Sequence, residues 1–188
     1  MLRVCAVVFA LAVCSAIPAG ATTYLPVTFD ELVTRADVIF VGEVTDVRPF
    51  ALNTPEGPVI KTRVVFRVID PLWGTTSAVE VFDFFGGELE GVGIAIAEMP
   101  RFAIGDRRVM FARRDQSINP VVGFTQGLLQ IGRDAAGVDR IWTLDGFPLS
   151  QPENIGTPRV TLVTPMLPMR LSELRERISR SLIQARRQ

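Results

Sequence analysis

The chain has 188 residues, 20 basic and 20 acidic, with no histidine and two cysteines. The missing histidine excludes Ser-His-Asp and Cys-His nucleophile systems, histidine metal ligands and an imidazole proton shuttle. A formal charge of zero speaks against a net basic field for nucleic acid, and 48% hydrophobic with 21% charged residues is the composition of a folded globular chain.

The N-terminus reads as a secretory signal. Arg3 supplies the positive region, Val4 to Ile17 the apolar region, Pro18 the break, and Ala19-Gly20-Ala21 the small-residue cleavage site. Residues 1–21 are therefore expected to be removed after Ala21, and the protein to be secreted or periplasmic with Thr22 first. The apolar run is too short for a comfortable membrane span, and no later segment approaches one. Cys5 and Cys14 both fall in this segment. Leu11-Ala12-Val13-Cys14 resembles a lipobox, although Val13 is larger than that position favours, so lipidation of Cys14 stays open. The remaining 167 residues carry no cysteine, and 19 basic against 20 acidic groups give a net charge of −1. Stability must then come from one hydrophobic core without a disulfide.

Thr28-x-x-Glu31 is a capping-box pattern, with Val27 and Leu32 at the staple positions. Phe29, Leu32, Val33 and Ala36 share a face at helical spacing, which predicts a short helix. Strands follow. Val38 to Val47 opens as an apolar run, and Gly42 inside it predicts a bulge or tight bend. After the turn-rich Asn53 to Pro58, a second strand alternates. Thr62, Val64, Phe66 and Val68 lie on one side, with Lys61, Arg63, Val65 and Arg67 on the other. Pro71 to Gly74 reads as a turn, Val79 to Phe85 as a third strand, and Gly86 to Gly93 as an interruption. Arg107 to Arg113, Val121 to Ile131 and Val138 to Leu144 complete the set, the last two joined by a hairpin loop at Asp134-Ala135-Ala136-Gly137.

The region from Gly146 to Pro168 carries five prolines and reads as a loop. Ser172 to Arg186 reads as a terminal helix with Leu171, Leu174, Ile178 and Leu182 as its apolar stripe. The pattern predicts a mainly β chain. Residues 22–145 would form a small closed barrel of five to six strands behind a short N-terminal helix, 146–170 a proline-rich loop, and 171–188 a C-terminal amphipathic helix. A two-sheet sandwich is the alternative.

Two strings carry a resemblance. Phe29-Asp30-Glu31-Leu32-Val33-Thr34-Arg35-Ala36-Asp37-Val38-Ile39-Phe40-Val41-Gly42-Glu43-Val44 resembles the start of netrin-like OB-fold domains, the tissue inhibitors of metalloproteinases among them. Arg63 to Gly74, ending Asp70-Pro71-Leu72-Trp73-Gly74, is similar to their second strand and the turn after it. The likeness spans roughly Thr22 to Ile131. The Ala-Asp-Val-Ile-x-x-Gly-x-Val core is also similar to that of small secreted bacterial proteins. The resemblance implies an OB-like barrel. It further implies a free α-amine and carbonyl at the first residue that chelate a protease zinc, a role that would fall to Thr22 with Thr23 beside it. The inhibitors begin with a cysteine and are rich in disulfides; this chain has threonine there and none.

Other candidates have simpler readings beside the functional one. Asp83, Glu88 and Glu90 flank Gly86 and Gly87 as carboxylates suited to an ion or to acid–base work, or as a solvated loop without calcium-loop spacing. Gly86-Gly87-x-x-x-Gly91-x-Gly93 lacks the Gly-Lys-Ser/Thr ending of a phosphate loop and reads as a connector able to carry recognition. Asp37 is expected to hydrogen-bond backbone N–H groups. Trp73 beside Gly74 is expected to cover the end of the barrel, and Trp142 to face opposite to Ile141, so that the two form no platform. Arg170, Arg175, Arg177, Arg180, Arg186 and Arg187 give the last helix a basic face for an anionic surface, or a solvated one diluted by Glu173 and Glu176.

Together these features predict a secreted binding module and not an enzyme, with no cofactor and no metal of its own. It would inhibit or partner an extracellular metalloprotease through Thr22, Thr23, Gly86, Gly87 and Glu88. The alternative is a structural or assembly protein of the bacterial envelope that docks through its C-terminal helix. No nucleic-acid partner and no transmembrane segment after Ala21 are expected.

Overall fold

The computed structural model describes residues 25–156 and 166–187. The predicted signal segment, Thr22 and Thr23 lie outside the described residues. Helix α1 is Phe29–Arg35. Eight strands follow: β1 Val38–Thr54, β2 Gly57–Trp73, β3 Val79–Phe85, β4 Gly87–Leu89, β5 Val92–Ile94, β6 Arg107–Ala112, β7 Leu128–Arg133 and β8 Asp139–Trp142. Among the described residues one 3-10 turn, Pro152–Asn154, precedes helix α2, Leu171–Ala185. Six strands form one antiparallel sheet in the order β3-β2-β1-β6-β7-β8, and β4 and β5 form a separate hairpin.

Alternation decides what each face of the sheet buries. Ile39, Val41, Val109, Phe111, Leu129, Ile131 and Ile141 point to one face and pack under α1 and α2, against Leu32, Val33, Leu174 and Ile178. Val38, Phe40, Val44, Val64, Phe66, Met110 and Leu128 point to the other. Both faces of β1 and β6 are therefore buried, which is why Val38-Ile39-Phe40-Val41 is a continuous apolar run instead of an alternating one. The second face curls over a phenylalanine cluster. Phe40 meets Phe66 edge-on at 5.6 Å, and Phe102, from the segment before β6, sits 5.7 Å from Phe66 and 4.7 Å from Phe84. Gly42 makes room for it, since a Cβ there would lie 2.7 Å from the Phe40 ring, and the β1–β2 register slips beside it.

The expected closed barrel is not found: β3 and β8 are the two edges of the sheet and do not pair with each other. Two features keep it open. Residues 121–127 turn instead of extending, with positive φ at Gly123 and Phe124, while the Asn119 side chain accepts from the Val121 N–H and donates to the Phe124 carbonyl. The predicted strand from Val121 is thereby shortened to Leu128–Arg133. Other parts of the chain also occupy positions along both rims. Along β8, Ile141 N–H donates to the Met169 carbonyl and accepts from Leu149 at its own carbonyl, both at 3.1 Å. Beside β3, the buried Glu80 accepts two hydrogen bonds from Arg114, at 2.9 and 3.0 Å, and Phe85 N–H donates to the Ile118 carbonyl at 2.8 Å.

The two strings that carried the resemblance meet in space. Ile39 pairs with Trp73, and a Cβ on Gly74 would lie 1.8 Å from the Asp37 carbonyl oxygen. Gly74 has φ +67, so the joint between α1 and β1 closes on the end of β2 only because that residue has no side chain. The Asp37 carboxylate accepts from the Arg114 N–H at 2.8 Å, a backbone-bonding role realised with a residue distant in sequence.

Candidate functional site

The described part of the predicted site gathers on the β4–β5 hairpin. Leu89 pairs with Val92 across Glu90-Gly91, whose φ values of 53° and 80° make a two-residue turn of the type I′ class. The hairpin is seated on the distal arms of β1 and β2 by its two glycines. Gly86 N–H donates to the Ile60 carbonyl, and its own carbonyl accepts from the Thr62 hydroxyl at 2.8 Å. A Cβ on Gly87 would stand 2.4 Å from the same hydroxyl, and one on Gly86 2.6 Å from the Ile94 carbonyl. Both glycines have positive φ. They are structural clamps, and the groups left free to meet a partner are Glu88, Glu90 and Val92.

Charge singles out the hairpin strands themselves, although Arg48, Lys61 and Arg63 stand on the arms of β1 and β2 beneath them. No lysine or arginine lies between Arg67 and Arg101. Of the acids in that stretch, Asp70 is ion-paired with Arg175 at 2.6 Å, Glu80 with Arg114, and Asp83 bidentately with Arg63 at 2.8 and 2.9 Å. Asp83 is therefore separated from Glu88 and Glu90 in function: it closes a cross-strand pair. Glu88, Glu90 and Glu98 have no cationic partner among the described residues. Val92 is 64% exposed beside them. An uncompensated anionic edge around one apolar side chain can bind a cationic, partly apolar counter-surface. Among the described residues no three His, Cys, Asp or Glu side chains come together as a metal site would need.

The chain enters far from this hairpin. Gln126 fixes the entry, accepting from Val27 N–H at 2.8 Å and donating to the Leu25 carbonyl at 3.2 Å. Gln126 precedes Gly127, whose neighbours are at Phe111, and Phe111 pairs with Ile39 at the start of β1. Gly87 packs on Pro49 and Thr62, towards the other end of β1. The structure thus brings Gly86, Gly87 and Glu88 together and sets Leu25 apart from them.

The basic helix is docked. Leu174 and Ile178 are buried under the sheet, with Leu171 and Leu182 packed around them. Ser181 donates to Asp30 of α1 at 2.6 Å, Arg177 pairs with Glu153, and Arg186 stacks over Trp73 at 4.8 Å. Arg170, Arg180 and Arg187 remain without a carboxylate partner among the described residues. Arg180 lines a groove of about 400 Å³ between Pro26–Asp30 and Arg177–Gln184. Trp142 covers Gly132, where a Cβ would lie 2.8 Å from its ring. Neither tryptophan forms an open platform.

Sequence reasoning missed the hairpin as an ordered element. Its strands have three residues each, and Glu-Gly is a weaker hairpin signal than Asn-Gly or Asp-Gly. Among the described residues no helix is long and apolar enough to cross a membrane. No protein-family model matches the chain, and a search of curated proteins finds no significant match.

Proposed function

We propose that the protein is a secreted, non-enzymatic binding module that recognises an extracellular protein partner through the β4–β5 hairpin. In this reading residues 1–21 are a cleaved signal and the fold is related to the netrin-like inhibitors. The single observation that carries the proposal is the hairpin itself, a tight turn clamped by Gly86 and Gly87 that presents Glu88, Glu90 and Val92 without an internal charge partner. Such a loop loses little conformational freedom on binding, which is where a rigid recognition element gains affinity.

The partner class proposed is a secreted metalloprotease. Inhibition would be by occlusion: the hairpin enters the cleft, with Glu88 and Val92 contacting its rim. Titration of secreted zinc proteases with purified protein whose first residue is Thr22 tests this. Stoichiometric inhibition is expected, weakened tenfold or more by Glu88→Lys and by raised salt. Full protease activity at a hundredfold excess of the protein contradicts it. The envelope-docking alternative would use Arg170, Arg180 and Arg187, because the apolar stripe of α2 is occupied by the core.

A further inference from the structure

The edge of β3 is a stretch of the large sheet where, among the described residues, backbone groups lack partners, as they also do on the outer side of β1 beyond Val44. Val68 N–H donates to the Ala78 carbonyl, and Gly86 N–H donates to the Ile60 carbonyl. These two bonds fix the parity of the β2–β3 ladder: even-numbered residues of β3 turn their backbone groups towards β2, and odd-numbered ones turn them outward. Phe85 spends its outward N–H on Ile118. Val79 is met only by the hydroxyl of its neighbour Ser77, which donates to the Val79 carbonyl at 2.7 Å and accepts from its N–H at 3.4 Å. The outward N–H and C=O of Val81 and Asp83 have no partner among the described residues. Val79 and Val81 are 48% and 46% exposed, so the edge is accessible. A long edge carrying exposed valines is a template for another strand.

We propose that β3 pairs antiparallel with β3 of a second copy of this chain, with Val81 opposite Val81 on the two-fold axis. The open stretch runs from Val79 to Asp83, bounded at one end by Ile118 and at the other by the turn before Val79. A two-fold axis that lays this stretch on itself passes through Val81. Charge favours the same register. On the outer face the β2–β3 and β1–β2 registers place Glu43, Arg67 and Val79 in one row and Arg48, Arg63 and Asp83 in another, with Asp46, Val65 and Val81 between them. In the dimer Val79 faces Asp83 of the second copy, so the first row becomes Glu43, Arg67, Val79, then the second copy's Asp83 and Arg63. Asp83 then keeps its own Arg63 on one side and meets the second copy's Val79 on the other, with strands about 4.8 Å apart. The row on the axis has valines at its centre, Val81 and Val65 of each chain, with Asp46 at each end. Acidic residues do not meet across the seam, and the sheet becomes continuous through both chains. This is an isologous contact, closed by its own symmetry.

Sedimentation equilibrium of the purified protein over a wide concentration range tests the proposal. A mass that rises from one chain to two is expected. Val81→Lys and Val81→Glu, which leave the β2 ladder intact, should each remain monomeric through like charges set opposite each other, and an equimolar mixture should recover the doubled mass. Val81→Pro deletes only an outward N–H and should raise the dimer dissociation constant at least tenfold. Melting curves by circular dichroism establish that each variant is folded. A wild-type mass of one chain at every concentration overturns the proposal, as do Val81 variants that still dimerise or a mixture that stays monomeric. None of these outcomes bears on the hairpin, which lies outside this edge.

Discussion

Gly74 is where a single methyl group does most harm. Its Cβ would overlap the Asp37 carbonyl oxygen, a backbone atom that cannot swing aside, and its φ is positive. Gly74→Ala is expected to cost about 3 kcal/mol or more. Gly91→Ala has an equally unfavourable φ and open space around it, so it is expected to cost only about 1 kcal/mol. Urea unfolding of the two variants checks the contrast. Gly74 was legible as a turn residue, but its contact with Asp37 was not, because no local pattern reports a neighbour that distant in sequence.

Acid stability is set by a few carboxylates. The Asp139 carboxyl is held below its usual range by hydrogen bonds from Arg107, then by Arg133, against the opposing effect of burial. Asp134 is lowered by Arg140 and by the Val138 and Ala136 N–H groups, and Glu31 by the Thr28 backbone N–H and hydroxyl. A carboxyl whose pKa is lower in the folded state contributes stability that is present above the unfolded value. That contribution is lost as pH falls through the folded one. Stability should therefore decline below about pH 4. Asp139→Asn should flatten that decline and cost about 1–2 kcal/mol at neutral pH, as denaturant titrations across the acid range would read.

At the scale of elements, α2 shows how far a hydrophobic stripe can be read. The spacing of Leu171, Leu174, Ile178 and Leu182 gave the buried face, and the structure fills it with the sheet and α1. Ile178→Ala is expected to cost about 2–4 kcal/mol, and truncation before Leu171 to abolish the cooperative thermal transition. The capping box of α1 is formed as its sequence pattern implies, Thr28 N–H donating to Glu31 at 2.9 Å. The segment from Val121 was not legible. Its apolar residues suit a strand, but Asn119 and the positive φ at Gly123 and Phe124 make it a turn. The β4–β5 hairpin escaped for the opposite reason: its strands are too short to show alternation. Phe102, also in an irregular stretch, plugs the phenylalanine cluster, and Phe102→Ala is expected to cost about 3 kcal/mol.

For the whole molecule, internal glycines and short strands suggested a closed barrel, but the edges β3 and β8 do not pair, and segments 113–118, 147–149 and 169–170 meet those edges only in part. Closure depends on which edges meet, and that is set by long-range contacts a local pattern does not encode. The result is a rigid body with a basic helix docked under one face and an anionic hairpin held on the far arms of β1 and β2. The account assigns recognition to the hairpin. Its most direct test is capture from the native secretome by three immobilised forms: the wild type, a Glu88→Lys, Val92→Asp hairpin variant, and an Arg180→Glu, Arg187→Glu helix variant. The account predicts that a protein retained by the wild type is retained by the helix variant and lost by the hairpin variant. Retention by the hairpin variant with loss by the helix variant would contradict it.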